Sequence, residues 1–95
     1  MQENENLDVL FNRTVGKVLK EHRIKQKKSL QFIADKLGTT RQAIFRYEKA
    51  EVTLKKTTFE KICMALNEEP QQIFNEISKR FYEYSKDNNF DDIKK

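Results

Sequence analysis

Residues 29–50, SLQFIADKLGTTRQAIFRYEKA, carry the pattern that decides the fold. Leu30, Ile33, Ala34 and Leu37 recur at helical spacing, so this run buries one face of a short helix. Ser29 precedes it as an N-cap, and Gly38 follows it as a residue that tolerates positive φ at a helix end. The pattern then restarts. Thr40 caps a further helix over Arg41 to Lys49, with Ile44 and Tyr47 turned inward and Arg41, Gln42 and Arg46 outward. Two short helices joined by Gly-Thr-Thr, with the small Ala34 where they cross, have the geometry of a helix-turn-helix.

The flanks read as helical too. Only two glycines and one proline occur, and β-branched alternation is nearly absent, so the chain is expected to be all-α with five helices. The first lies within residues 8–27, with Leu10, Phe11, Val15, Val18 and Leu19 on one side. Gly16 weakens its early part, which points to a start near Asn12. The fourth, Thr57 to Leu66, buries Phe59, Ile62, Cys63 and Leu66 and ends at Asn67. Pro70 suits the first turn of a fifth, whose Phe74, Ile77, Phe81 and Tyr84 follow the 3-4-3 spacing of a helix–helix seam, Phe74 serving the core. Residues 50–56 read as a polar connection, and the tail DNNFDDIKK as frayed. The expected organisation is an acidic extension over 1–12, a helix-turn-helix domain over 13–75, and a helical extension with its tail over 76–95.

Ninety-five residues make one domain with a small core. The net charge of +4 conceals a segregation: −3 over residues 1–12, +9 over 13–61 and −2 over 62–95. A basic middle between acidic ends is a footprint for a polyanion. The apolar runs fall far short of the ~20 residues a membrane span needs, and MQENENLD is too acidic for a signal peptide. One cysteine, Cys63, excludes an intramolecular disulfide and a multi-cysteine metal site. It reads as a small buried hydrophobe, which fits a reducing cytoplasm. His22, the one histidine, is expected to pack on the surface or touch a phosphate rather than bind a metal. No Cys/His cluster, Ser-His-acid set or Gly-rich phosphate loop occurs, so neither catalysis nor a metal or cofactor is expected.

The partner follows from the outward side chains. In a helix-turn-helix the start of the second helix enters the major groove of double-stranded DNA. Arg41 and Arg46 suit the O6 and N7 of guanine, Gln42 suits the N6 and N7 of adenine, and Thr39 or Thr40 offers a methyl to thymine. Phe45 projects from the outward side, and three roles stay open for it: packing on a dimer partner, touching thymine methyls, or covering the Phe32 side of the preceding helix. With Phe32 it suggests a local aromatic cluster.

VGKVLKEHR, SLQFIADKLGTTRQAIFRYE and TFEKICMALN together resemble the Cro/phage-repressor type of helix-turn-helix domain (the XRE family) over about residues 13–75. The resemblance implies a compact lambda-repressor-like domain in which Arg23 pairs with Glu48 and braces the reading helix. That brace is expected to be exposed, guiding the helix more than stabilising the fold. The resemblance places Thr40, Arg41, Gln42 and Arg46 at base-facing positions, and Ser29, Leu30 and Lys49 at phosphate-facing helix ends. Lys55 and Lys56 fall in a connection that runs near the DNA backbone. Three departures stand out. The family often has glutamine where this chain has Leu30, and Gln31, one position late, joins the backbone set in its place. Lys28 occupies an apolar position, its stem buried and its ammonium snorkelling to water. Ala50 and Leu54 replace a usual glycine and proline, so the connection is expected to take a different path.

The leading expectation is a sequence-specific transcription regulator, repressor-like, binding a near-palindromic operator as a cytoplasmic homodimer. Ile77, Phe81 and Tyr84 are the candidate dimer interface. An antitoxin that also binds a toxin through its acidic C-terminal part is the nearest variant. A protein–protein adaptor without DNA is disfavoured by the +9 segment together with Arg41, Gln42 and Arg46.

Overall fold

A computed structural model describes residues 6–87 of the chain. Five helices follow one another: α1 (Leu7–Lys25), α2 (Leu30–Leu37), α3 (Arg41–Glu48), α4 (Lys56–Ala65) and α5 (Pro70–Asp87). The all-α architecture is the expected one, and α2 and α3 form the helix-turn-helix. The centre is filled by Val18 and Leu19 of α1, Ile33 and Ala34 of α2, Ile44 of α3, Ile62 and Cys63 of α4, and Ile73 and Ile77 of α5. α1 lies across the domain against α5 and α3, while α2 packs on α3 and α4. Burial pushes the Cys63 thiol up to about 12, with Glu68 and Glu60 nearby adding to the shift. It is an inert core group, as its sequence setting implied.

The ends of the helices explain why the elements stop where they do. Ser29 Oγ accepts from Phe32 N at 2.9 Å and Thr40 Oγ1 from Ala43 N at 3.1 Å, the two expected N-caps. Four helices close in the same way, with one residue at positive φ followed by a bond back across the last turn. These residues are Lys27, Gly38, Ala50 and Asn67. The bonds run from Lys28 N to Arg23 O, Thr39 N to Ala34 O, Glu51 N to Arg46 O and Glu68 N to Cys63 O, at 2.9–3.0 Å. Ala50, at φ 60°, thus takes the conformation in which a glycine is usual. The chain turns there regardless of the substitution.

Several expectations need correction. α1 starts at Leu7, not near Asn12, because Asn6 Oδ1 accepts from Val9 N at 2.8 Å and caps it one turn earlier. The boundary drawn at residue 12 therefore falls inside a helix, with Leu10 already in the core. The boundary at 75/76 likewise falls inside α5. Residues 1–5 and most of the tail lie outside the described residues. Ile77 is 0% exposed, so it belongs to the core and presents no surface to a dimer partner. Ile73, absent from the expected seam, is the buried neighbour, whereas Phe74 is 43% exposed. The difference is one of helix rotation: α1 crosses α5 on its Ile73–Ile77 side and leaves Phe74 at the edge.

Phe11 covers that edge. Its ring lies 5.3 Å from Phe81 edge-on and 6.1 Å from Phe74. Beside them opens a cleft of about 640 Å³, lined by Phe11, Val15, Tyr47, Leu54, Phe59 and Phe74 among others. A polar chain stitches α1 to α5 and to the loop before it. His22 Nδ1 meets Glu68 at 3.1 Å and its Nε2 meets Glu76 at 2.8 Å, and Arg80 bridges Glu76 and Glu21 at 2.8 and 2.6 Å. Burial opposes a charge on His22, but its hydrogen bonds to Glu76 and Glu68 raise its pKa above the ordinary value. The phosphate contact expected of His22 is thereby corrected, since both ring nitrogens are taken by carboxylates of its own chain.

Candidate nucleic-acid interface

α3 is short, and its placement depends on what holds its inner face. Ile44 is 1% exposed and anchors the helix against the core, with Tyr47 partly buried beside it. At its C-terminal end Arg23 Nε and Nη2 donate to the two carboxylate oxygens of Glu48 at 2.7 and 3.0 Å. Arg23 Nη1 also donates to the Lys28 carbonyl at 2.9 Å. The guanidinium thus ties the end of α1, the loop before α2 and the end of α3 together. The pairing matches the resemblance, but its setting does not: the side chains are only 13% and 6% exposed. This bidentate pair is a largely enclosed structural element rather than a surface brace.

Gly16 adds a second constraint. A Cβ placed there would lie 2.4 Å from the Glu48 carbonyl oxygen and 2.8 Å from that of Tyr47. Only a glycine lets the α1 backbone approach the last turn of α3 so closely. Sequence reading took Gly16 as a weak point of α1. A lone glycine inside an apolar helical period was the available signal for a close approach.

The outer face of α3 is wet. At about 100° per residue, Arg41, Gln42, Phe45, Arg46 and Lys49 share one side, and all five are exposed. Among the described residues no hydrogen bond or ion pair holds the side chains of Arg41 or Gln42. Arg46 leans on Glu51 at 3.5 Å, an open pair on the surface. Thr39 is exposed in the turn, and Thr40 is exposed too, with its hydroxyl taken up in capping α3. Lys49 holds its ammonium 5.7 Å from the Phe45 ring centre.

The expected backbone set is divided. Ser29 is exposed at the start of α2. Leu30 packs its side chain on the core, which leaves only its backbone N–H for a phosphate. Gln31 is exposed but donates to Asp35 within α2 at 2.8 Å. Lys55 and Lys56 stand at the start of α4, which has no side-chain cap and no acid in its first turn. Two cations at the positive end of a helix dipole repel it unless an anion sits there. Arg46 and Lys55 line one shared hollow of about 330 Å³ with Tyr47 and Val52, so the α3 face runs on into the connection. No aromatic cluster joins Phe32 to Phe45. The ammonium groups of Lys28 and Lys36 lie over the Phe32 ring, at 4.5 and 5.4 Å from its centre.

An exposed basic and amide-bearing α3 on a rigid helix-turn-helix defines a class of protein. Residues 19–73, more than half of the chain, match the helix-turn-helix family model. The chain belongs to this Cro/C1-type (XRE) family of DNA-binding regulators. No curated protein matches it significantly. Among the described residues no helix is long and apolar enough to cross a membrane.

Proposed function

We propose that the protein is a sequence-specific transcription regulator of repressor type, acting in the cytoplasm as a homodimer on a near-palindromic operator with α3 in the major groove. The observation that carries this reading is the division of α3 into two faces. Its inner face is locked by Ile44 and the largely enclosed Arg23–Glu48 pair, while Arg41, Gln42 and Arg46 stand exposed on the other. A reader needs that combination, because base contacts specify only when the helix presenting them cannot shift. Lys55 and Lys56 beside the uncapped start of α4 supply the sequence-independent share of the affinity.

A single helix-turn-helix covers few base pairs, so two copies are needed to read half-sites about one helical turn apart. The seam we propose is centred on Phe74, with Phe81 and Tyr84 along the same helix. Phe74 projects 43% exposed beside the cleft of about 640 Å³. A patch holding both a projecting ring and a receptive hollow can meet its own copy, as a two-fold interface requires.

The test is a binding titration on an operator selected from random duplexes and on a scrambled duplex. Arg41→Ala and Gln42→Ala should each lose about 1–3 kcal/mol on the operator and much less on the scrambled DNA. Equal losses on both would move these residues from the bases to the backbone. A wild-type protein that prefers neither duplex would overturn the reading.

A further inference from the structure

We propose that Phe45 is a base-reading residue that recognises the C5-methyl group of thymine in the major groove. The inference deepens the function proposed above and rests on it. Phe45 lies inside the outward face of α3, between Gln42 and Lys49 and flanked by Arg41 and Arg46, rather than at its margin. Its ring is 45% exposed on a surface otherwise made of charges and an amide. The ring pairs among the described residues are those of Phe11 with Phe74 and Phe81, so no described aromatic packs on this side chain. Phe32, the candidate neighbour on α2, is covered instead by Lys28 and Lys36.

The chemistry narrows what such a ring can read. A phenyl group neither donates nor accepts a conventional hydrogen bond, and among base edges of the major groove the distinctly apolar feature is the thymine methyl. Cytosine offers only a hydrogen at the same carbon. The Lys49 ammonium, 5.7 Å from the ring centre, adds a charge that a flanking phosphate can draw in, which sets the ring at the groove edge. Phe45 would then supply an apolar determinant between hydrogen-bonding readers, and each half-site should hold a thymine at the position it faces.

Replacing thymine by deoxyuridine removes that methyl and keeps the pairing edge and the charge. Each thymine of the selected operator is replaced in turn, and affinity is measured by fluorescence anisotropy for wild type, Phe45→Ala and Phe45→Leu, with circular dichroism confirming the fold of each variant. Wild type should lose about threefold to tenfold at one or two thymines per half-site, the worth of a buried methyl contact. Phe45→Ala should bind the operator more weakly by a similar factor and become indifferent to deoxyuridine at those positions. Phe45→Leu should keep part of the discrimination. The inference is overturned if the deoxyuridine losses are the same in wild type and Phe45→Ala. It is equally overturned if Phe45→Ala loses affinity alike on scrambled DNA, or if it dissociates the protein into monomers with its thymine preference intact. A wild-type protein with no sequence preference would remove the function itself, and that is seen before any Phe45 variant is made.

Discussion

Ala50 and Glu48 show how much of the reading geometry rests on single positions. An alanine at φ 60° carries a steric penalty between its Cβ and the following carbonyl that a glycine lacks. Ala50→Gly should therefore raise stability by about 0.5–1 kcal/mol, after the entropy that glycine adds to the unfolded chain. The check is the urea midpoint, and a lower midpoint would show that the turn is unstrained. Glu48 has the opposite role. With its side chain 6% exposed against a guanidinium 13% exposed, removing its charge strands Arg23 in the interior. Glu48→Gln should cost about 3–5 kcal/mol of folding stability. Exchanging the two residues should recover little, because Arg23 also serves the Lys28 carbonyl, which a carboxylate cannot do. A swapped protein as stable as wild type would argue against this account.

Among the elements, α4 is the one that begins against its own interest. Lys55 occupies the N-cap without a side-chain bond, and Lys56 follows in the first turn. Lys55→Ser should cap the helix and stabilise the protein by about 0.5–2 kcal/mol. The same change should weaken binding to operator and scrambled DNA alike, and should lower the salt slope of log K by about one. Thermal melts and titrations at several salt concentrations separate the two effects. A variant more stable yet undiminished on DNA would take α4 out of the interface.

At the scale of the whole molecule, two seams join α1 to α5 and the loop before it, one polar and one apolar. In the polar seam His22 meets Glu68 and Glu76, with Gln26 also donating to Glu68 and Arg80 bridging Glu76 and Glu21. The raised pKa of folded His22 means that its protonated form favours the folded state. This contribution is fully present below the unfolded histidine value of about 6.5 and is lost as pH rises through the higher folded value. Stability should thus decline across that window, and His22→Gln should flatten the decline; an unchanged slope in the variant would assign it to other groups. In the apolar seam, Phe74 is the better probe of assembly. Both rings touch Phe11, but Phe81 is the closer and is half-buried whereas Phe74 is exposed, so a charge at Phe81 damages the fold more. Phe74→Asp should yield a folded monomer with much weaker operator binding, read by sedimentation velocity and circular dichroism. A Phe74→Asp protein that remains dimeric would place the interface elsewhere.

What was legible in the sequence was short-range. The periodicity of α2 and α3, the caps Ser29 and Thr40, the turn at Gly38 and the outward Arg41, Gln42 and Arg46 all depend on residues within one or two turns, and all are in place. The start of α1 at Asn6 was missed because Gly16, read locally, looks like a weakness rather than a contact surface for α3. Which side of α5 is buried could not be read from spacing, since Ile73, Phe74 and Ile77 satisfy helical periods equally well. The crossing of α1 decides between them. The same holds for Arg23 and Glu48, 25 residues apart, whose burial arises only when the ends of α1 and α3 meet. Sequence alone determined the five-helix pattern, the caps of α2 and α3 and the outward face of α3, because those are settled by neighbours along the chain. Tertiary structure alone decided which groups lose their water, because desolvation depends on what another helix brings against them.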